Sequence, residues 1–211
     1  MSFPVYDFRT DVRNVLVTPQ IRARFLRMEP GQVARLHSHD LGHEVFLVLR
    51  GTAEFEIEGQ TRELGPGQMC IALADQSHSV RVLGDEPMTM YLSVTPHIQP
   101  THTGRTPQGD RLPLDFKPSS TYDAVDADRP VGELIARQVE AALALAGAAQ
   151  TGARVQQEMA VRLRGALAEG DRDEAERARN AVWEALFDTF TRVYELAAAW
   201  NDLSPRLAAA P

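Results

Sequence analysis

The chain has 211 residues, of which 44% are hydrophobic and 24% are charged, and its formal net charge is −7. This composition is typical of a globular protein and argues against wholesale disorder. A protein that neutralises a nucleic-acid backbone usually carries a dense Lys/Arg patch, and the sequence shows none, so nucleic acid is not an expected partner. Cys70 is the only cysteine, which excludes an intrachain disulfide and a cysteine-based zinc site.

Targeting signals are not evident. The first residues lack the basic and then apolar pattern of a secretory signal, and no run of 18 apolar residues follows. We therefore expect a cytoplasmic protein without a membrane partner. Histidine and alanine are unevenly distributed, since four of the six histidines lie between residues 37 and 78 and 21 of the 28 alanines follow residue 130. The chain is expected to have two halves of different structure.

The first half, residues 1–98, consists of short segments with alternating polarity separated by turn signals, a pattern typical of a closed antiparallel β-barrel with an N-terminal arm. Early in this half, apolar residues alternate with arginines, so that Ile21, Ala23 and Phe25 are expected to face inward.

The second half changes to helical periodicity. Residues 99–129 are rich in proline and are predicted to form an extended linker or a wrapping arm. A helical extension of about three helices is predicted over 130–203, followed by a tail at 204–211. Candidate N-caps for the three helices are Asp128, Thr151 and Asp171.

A long apolar stripe in the third predicted helix includes Trp183, Phe187 and Phe190. Burying one large apolar side chain is worth roughly 1.5–3 kcal/mol, so the stripe is expected to pack on the other helices, on the barrel or on another subunit. Because about 75 residues are marginal for an independent domain, docking or a homodimer is favoured.

The most informative stretch contains His37, His39 and Glu44, with His78 further along the chain. Residues two apart on a strand project to the same face, so His37 and His39 can hold one ion between them. Glu44 follows a short turn and can bring a carboxylate to the same point, and His78 can complete the set from a third strand. Three imidazoles and one carboxylate suit one divalent transition metal, with Mn, Fe, Co, Ni, Cu and Zn left open.

This stretch resembles the first motif of the cupin superfamily, G(X)5HXH(X)3–4E(X)6G, which is matched from Gly31 through the three ligand residues to Gly51. The second cupin motif, G(X)5PXG(X)2H(X)3N, is matched at Gly67 and His78. Its other defined positions differ and hold Leu73, Asp75 and Val82. The resemblance covers roughly residues 20–96 and implies a jelly-roll (double-stranded β-helix) barrel that binds a metal.

Strand parity also predicts what surrounds the metal. If Glu44 and His78 face inward, the residues two and four positions after them do as well, which gives an apolar cavity suited to a small organic ligand. The predicted lining residues are Phe25, Phe46, Val48, Phe55, Val80, Val82 and Met90.

Four other residues are interpreted as non-catalytic. His43 adjoins Glu44 and is expected to point the other way, and Cys70 is expected to act as a small buried apolar side chain. His97 and His102 lie in the proline-rich segment and are expected to be solvated.

Three functions agree with these patterns. The favoured one is a metal-dependent, dioxygenase-type or related enzyme that acts on a small organic substrate. The alternatives are a non-enzymatic sensor or binding module for a small ligand, and a dimer with a purely structural metal. The sequence identifies no residue as an acid or base catalyst.

Overall fold

The computed structural model describes residues 2–123 and 128–208, and the chain divides into two compact units. Among the described residues, the first unit holds the strands, the proline-rich segment up to residue 123 and residues 204–208, and the second spans Asp128–Leu203. Two antiparallel sheets of five strands build the first unit, and two long helices follow. The predicted fold class, a jelly-roll barrel followed by helices, is therefore confirmed.

The barrel strands pair in two sheets of order β1-β2-β9-β4-β7 and β10-β3-β8-β5-β6. Neighbours in each sheet are mostly distant in sequence, as expected for a jelly roll. The strands are β1 Asn14–Val17, β2 Arg22–Met28, β3 Val33–Ser38, β4 His43–Arg50, β5 Thr52–Ile57, β6 Gln60–Leu64, β7 Met69–Ala72, β8 His78–Leu83, β9 Met88–Thr95 and β10 Thr103–Gly104.

The β5–β6 hairpin shows how local sequence sets the strand register. Glu58 and Gly59 form the two-residue turn, with φ angles of 50° and 72°, between the paired residues Ile57 and Gln60. Two positive φ angles are characteristic of a type I′ turn, whose twist matches that of the strands. With this register, the alternating side chains of β5 bury Ala53 and Phe55.

An apolar core lies between the two sheets and anchors the strands that carry the site. Its buried members are Met28, Phe46, Val48, Ala53, Phe55, Leu64, Ala72, Val80, Val82, Met88, Met90 and Leu92.

The proline-rich segment packs on the barrel as far as the structure describes it. Strand β10 pairs with β3 through Thr103 and Ser38. Farther along, the Asp123 carboxylate accepts hydrogen bonds from the backbone and side-chain nitrogens of Asn14, both at 2.9 Å. Residues up to 123 thus form an arm on the barrel, and residues 124–127 lie outside the described chain.

The helical unit contains two helices where three were predicted. Helix α1 runs over Val131–Glu169 without a break at Thr151, and helix α2 spans Arg172–Ala208. Gly152 lies inside α1 and faces α2, where an added Cβ would lie 3.2 Å from Thr189 Oγ1. The glycine therefore serves close helix–helix contact and does not end a helix.

The helix ends follow partly from the expected signals. Pro130, and not Asp128, is the N-cap of α1, and it makes no side-chain cap. Gly170 ends α1 in the left-handed conformation at φ 72°. The predicted cap at Asp171 is confirmed, since its Oδ1 accepts a hydrogen bond from the backbone N–H of Glu174 at 3.0 Å.

In the described residues, neither helix has a stretch apolar enough to cross a lipid bilayer.

Candidate metal centre

Three strands and one turn bring the predicted ligands together. His37 on β3 pairs in register with His78 on β8, while His39 lies directly after β3 and Glu44 on β4 faces them from the other sheet. One ligand atom from each of the four side chains lies within 4.8 Å of every other. Apart from the partly buried His37, these side chains are buried. The structure thus places the four predicted metal ligands around one point.

The outward-facing nitrogen of each imidazole is hydrogen-bonded to a backbone carbonyl. His37 Nδ1 donates to the carbonyl of Arg35 at 2.7 Å, and His78 Nδ1 donates to that of Gln76 at 2.9 Å. His39 Nδ1 donates to the carbonyl of Thr101 in the arm. Because a carbonyl only accepts, each Nδ1 carries a proton, and Nε2 is the ring nitrogen that faces the centre.

The Nε2 atoms converge on a single carboxylate oxygen. Oε2 of Glu44 lies 2.8 Å from Nε2 of His39, 2.9 Å from that of His78 and 4.0 Å from that of His37. The lone pairs of the carboxylate oxygen and of the Nε2 atoms repel one another unless a proton or a metal ion lies between these atoms. The arrangement matches the usual metal site, in which a histidine ligand donates its other N–H to a fixed acceptor.

The protonation states of the cluster also suit a cation. Burial alone would raise the pKa of Glu44, but charge attraction and hydrogen bonding from His39 and His78 hold it well below its ordinary value. Burial, with the charge of His78, lowers the pKa of His37 to about 4. At neutral pH the Glu44 carboxylate is therefore charged and the His37 imidazole neutral, the forms in which both could bind a divalent metal.

A cavity of about 470 Å³ opens beside this cluster, and both His37 and Glu44 line it. Most of its wall is apolar. Of the predicted lining residues, Phe46, Val80 and Met90 line this cavity.

The other predicted lining residues lie elsewhere. Val48, Phe55 and Val82 belong to the packed core. Phe25 faces away from the cavity, with its ring against Phe8 and Tyr91 at centroid distances of 6.4 and 6.0 Å. The prediction that Ile21, Ala23 and Phe25 face the inside of the barrel is therefore wrong, because the residues that alternate with them face the cavity.

Arg22 and Arg24 line the cavity in place of Phe25. Sequence reasoning missed them because a strand that alternates apolar and basic residues normally turns its basic side to solvent. The useful signal would have been that Leu26 and Met28 share their parity and continue the inward face.

His102 is a further residue that sequence reasoning missed. The expectation that His97 and His102 are solvated is wrong, since His97 is buried and His102 lines the cavity. The His102 ring lies 4.9 Å from that of His37 and 4.7 Å from that of His39, between centroids. Burial, with the charges of His39 and His37, holds the pKa of His102 well below its ordinary value. The arm therefore supplies a fourth, neutral imidazole beside the cluster.

The remaining two residues agree with the simple interpretations. His43 is exposed, and its Nδ1 accepts a hydrogen bond from the backbone N–H of Ala74 at 2.8 Å. Cys70 is partly buried, and burial raises the pKa of its thiol to about 11.

Comparison with known proteins agrees with the fold of the strand unit. Residues 24–95 match the family model described as "Cupin domain". Residues 24–95, within the strand unit, are therefore a cupin domain. A search of curated proteins found no match to the sequence.

Solved structures similar to the chain correspond to less than half of it. A conserved double-stranded β-helix protein from Klebsiella pneumoniae is 26% identical with a TM-score of 0.43, covering 45% of this chain and 91% of its own. KdgF from Halomonas sp. is also 26% identical, with a TM-score of 0.38 and coverages of 42% and 79%. The DMSP lyase DddQ from Ruegeria pomeroyi is 26% identical, with a TM-score of 0.39 and coverages of 44% and 47%.

Proposed function

We propose that the protein is a metal-dependent enzyme, of the dioxygenase type or a related class, that acts on a small organic substrate. The observation that carries this proposal is the shared wall of the metal cluster and the cavity, because His37 and Glu44 belong to both. A molecule in the cavity would lie against the cluster. A purely structural metal needs no such space, since structural sites are usually closed by protein ligands.

A divalent ion held by His37, His39, Glu44 and His78 would supply a Lewis-acidic centre with coordination positions left for a substrate. The protein's own contribution is to fix the ligands. The carbonyls of Arg35, Gln76 and Thr101 hold the three imidazoles in the tautomer that exposes Nε2. The mostly apolar wall of the cavity would contact the apolar part of a substrate.

His102 adds a polar group on the cavity wall. Its Nδ1 lies 2.8 Å from Thr101 Oγ1, and that oxygen lies 2.6 Å from the hydroxyl of Tyr122. This chain of three groups fixes the ring orientation and can hold a proton between Nδ1 and the two hydroxyls. His102 is accordingly the residue best placed to exchange a hydrogen bond or a proton with a bound substrate.

The test begins with elemental analysis of protein purified without added metal, followed by reconstitution with Fe, Mn, Ni, Co, Cu or Zn. Oxygen uptake by the iron-loaded protein is then measured across catechols, flavonols, thiols and diketones. Turnover that is lost in a His37→Ala, His39→Ala double variant and retained in His43→Ala supports the proposal. Absence of metal-dependent turnover with any oxidation, isomerisation or decarboxylation substrate would count against it and favour a sensor or a structural metal.

A further inference from the structure

We propose that the cavity beside the metal cluster binds a small organic carboxylate with an apolar body, and that Arg22 and Arg24 hold its carboxylate group. This inference rests on the proposed function, which places a small organic substrate in the same cavity. It adds the charge and chemical class of that substrate.

Arg22 is a buried cation with little local compensation. Its side chain is only 4% exposed, and its Nη2 lies 3.8 Å from Oε1 of Glu44, too far for a hydrogen bond. Its Nε is buried and makes no hydrogen bond to any described residue, while its guanidinium lies over the ring of Tyr122 at 5.5 Å. A buried charge is normally paired and hydrogen-bonded, so this guanidinium has donor capacity available for a ligand.

The counter-ion of Arg22 is shared. Glu44 turns its other oxygen, Oε2, to the imidazoles of His39 and His78. A single carboxylate therefore faces both the metal cluster and the guanidinium, and it cannot neutralise a divalent ion and Arg22 together. A second anion in the cavity would complete the charge balance.

Arg24 extends the cationic surface along the same strand. It lies two residues from Arg22 on β2, so both side chains project to the same face of the sheet. Its Nε is buried without a hydrogen-bond partner among the described residues, where it also forms no ion pair. Asp123, an acidic neighbour of Arg24, is already hydrogen-bonded to Asn14.

The charges of the whole cavity lining also favour an anionic ligand. Its lining contains four basic and two acidic side chains, and a divalent metal would add two further positive charges. One of the basic groups, Lys117, is already paired with Asp115. The basic groups are Arg22, Arg24, Arg35 and Lys117, and the acidic groups are Glu44 and Asp115.

The apolar wall favours an organic carboxylate over a phosphorylated or sugar-like ligand. Beyond the two arginines, the inward face of β2 continues with Leu26, which pairs with Met90 on β9. Phe46 and Leu92 lie opposite each other on β4 and β9 and line the same space. A guanidinium matches the planar carboxylate with two parallel hydrogen bonds, and the apolar wall matches the rest of the molecule.

The experiment measures binding and does not depend on turnover. Benzoate and hexanoate are titrated calorimetrically into the full chain against their neutral amides, benzamide and hexanamide, with inorganic phosphate as a further probe. Both metal-free and Zn²⁺-loaded protein are used, because a metal alone would also favour carboxylates. We expect the carboxylates to bind roughly 10- to 100-fold more tightly than the amides in both forms.

Three variants separate the arginine contribution from other effects. Arg22→Gln and Arg24→Gln should reduce the carboxylate preference at least about tenfold, while Arg27→Gln should leave it unchanged. Arg27 is the matched control, since it lies on the same strand but is exposed and paired with Glu29. Should Arg22→Gln lose metal or fail to fold, Arg24→Gln decides, because it forms no ion pair with Glu44 in the described structure.

The proposal is overturned if wild-type protein binds none of the carboxylates at millimolar concentration, if Arg24→Gln keeps the full preference, or if phosphate binds while the carboxylates do not. Arginine-dependent carboxylate binding without any turnover would support this inference and remove the enzyme proposal. If wild type and Arg24→Gln turned over a neutral substrate equally well, that result would support the enzyme proposal and remove this inference.

Discussion

The Nε2 atom of His39 lies 2.8 Å from Oε2 of Glu44, while Nδ1 of the same ring donates to the carbonyl of Thr101. Only a cation between them makes this contact favourable, because both facing atoms carry lone pairs when the ring is neutral. The carboxylate of Glu44 is shared with His78 and approached by Arg22. Glu44 is therefore the residue on which the whole cluster depends.

We predict that Glu44→Gln weakens metal binding by more than about 100-fold, since even outer-shell changes at metal sites cost 10- to 100-fold. The amide keeps the size of the side chain and removes its charge. Metal content by elemental analysis and affinity by competition with a chelator measure the effect. His43→Gln is the control, because the exposed His43 adjoins Glu44 and points away. Full metal content in Glu44→Gln would contradict the ligand assignment.

His102 is predicted to matter for turnover without being required for metal. The four ligand atoms of the cluster come from other residues, whereas His102 lines the cavity and bonds to Thr101. A His102→Asn variant should retain the metal content of wild type and lose about 100-fold or more in kcat, the usual contribution of a proton-transfer group. Loss of metal in this variant would instead make His102 a ligand.

His97 is predicted to make stability depend on pH. Its side chain is 2% exposed, and burial, with the charges of Arg22 and His39, lowers its pKa to about 3 from an ordinary 6.5. Between these values the unfolded chain binds a proton that the folded chain excludes. The stabilisation is therefore complete above about pH 6.5 and declines as the pH falls toward 3, by up to about 1.4 kcal/mol per pH unit.

Urea unfolding of metal-free protein at several pH values measures this slope. His97→Gln should flatten it by up to one proton. Identical slopes for wild type and His97→Gln would show that His97 does not contribute to acid destabilisation.

Cys70 is predicted to be unreactive in the folded protein. Burial, with the charge of Glu44 as a lesser cause, raises its pKa from 9.0 to about 11. The thiolate is the reacting species, so alkylation at pH 8 should be roughly 100-fold slower in native than in unfolded protein. Every labelled molecule reports on this residue, because the chain has a single cysteine. Equal rates in the two states would contradict the prediction.

The clustering of His37, His39 and Glu44 was predictable from sequence because strand periodicity and the cupin spacing both act on residues close along the chain. His37, His39 and Glu44 lie within eight positions, and their geometry follows from local strand rules. His102 and the carbonyl of Thr101 reach the cluster through the arm, whose path depends on tertiary contacts such as the hydrogen bond between Thr101 and Tyr122. Arg22 was missed because burial of a cation contradicts the usual pattern of a strand.

The helices also show that contacts between distant residues are not predictable from the local sequence. Gly152 and Thr151 together look like a helix boundary, since glycine and threonine favour caps and turns. The close approach of Gly152 to Thr189 on α2 depends on tertiary packing and is not visible in the local pattern, and α1 continues through this position. The final turn signal at Gly170 was predictable because a left-handed C-cap needs only local chemistry.

The outer face of α2 carries an apolar stripe formed by Trp183, Phe187, Phe190 and Tyr194. The first two side chains are 57% and 60% exposed, and their rings lie 6.2 Å apart between centroids. The spacing of four, three and four residues is the heptad pattern that packs one helix against another. We propose that the stripe packs on α2 of a second copy, since two helical hairpins related by a two-fold axis form a four-helix bundle.

Light scattering and sedimentation equilibrium of the wild type should therefore give twice the mass of the chain. Phe187→Lys places a charge in the stripe and should shift the equilibrium to monomer by at least about 100-fold in Kd, because a buried aromatic is worth roughly 1.5–3 kcal/mol in each of two copies. Glu195→Lys, an exposed change of charge outside the stripe, is the control and should remain dimeric. A monomeric wild type, or a Phe187→Lys variant that dimerises as strongly as wild type, would contradict this assembly.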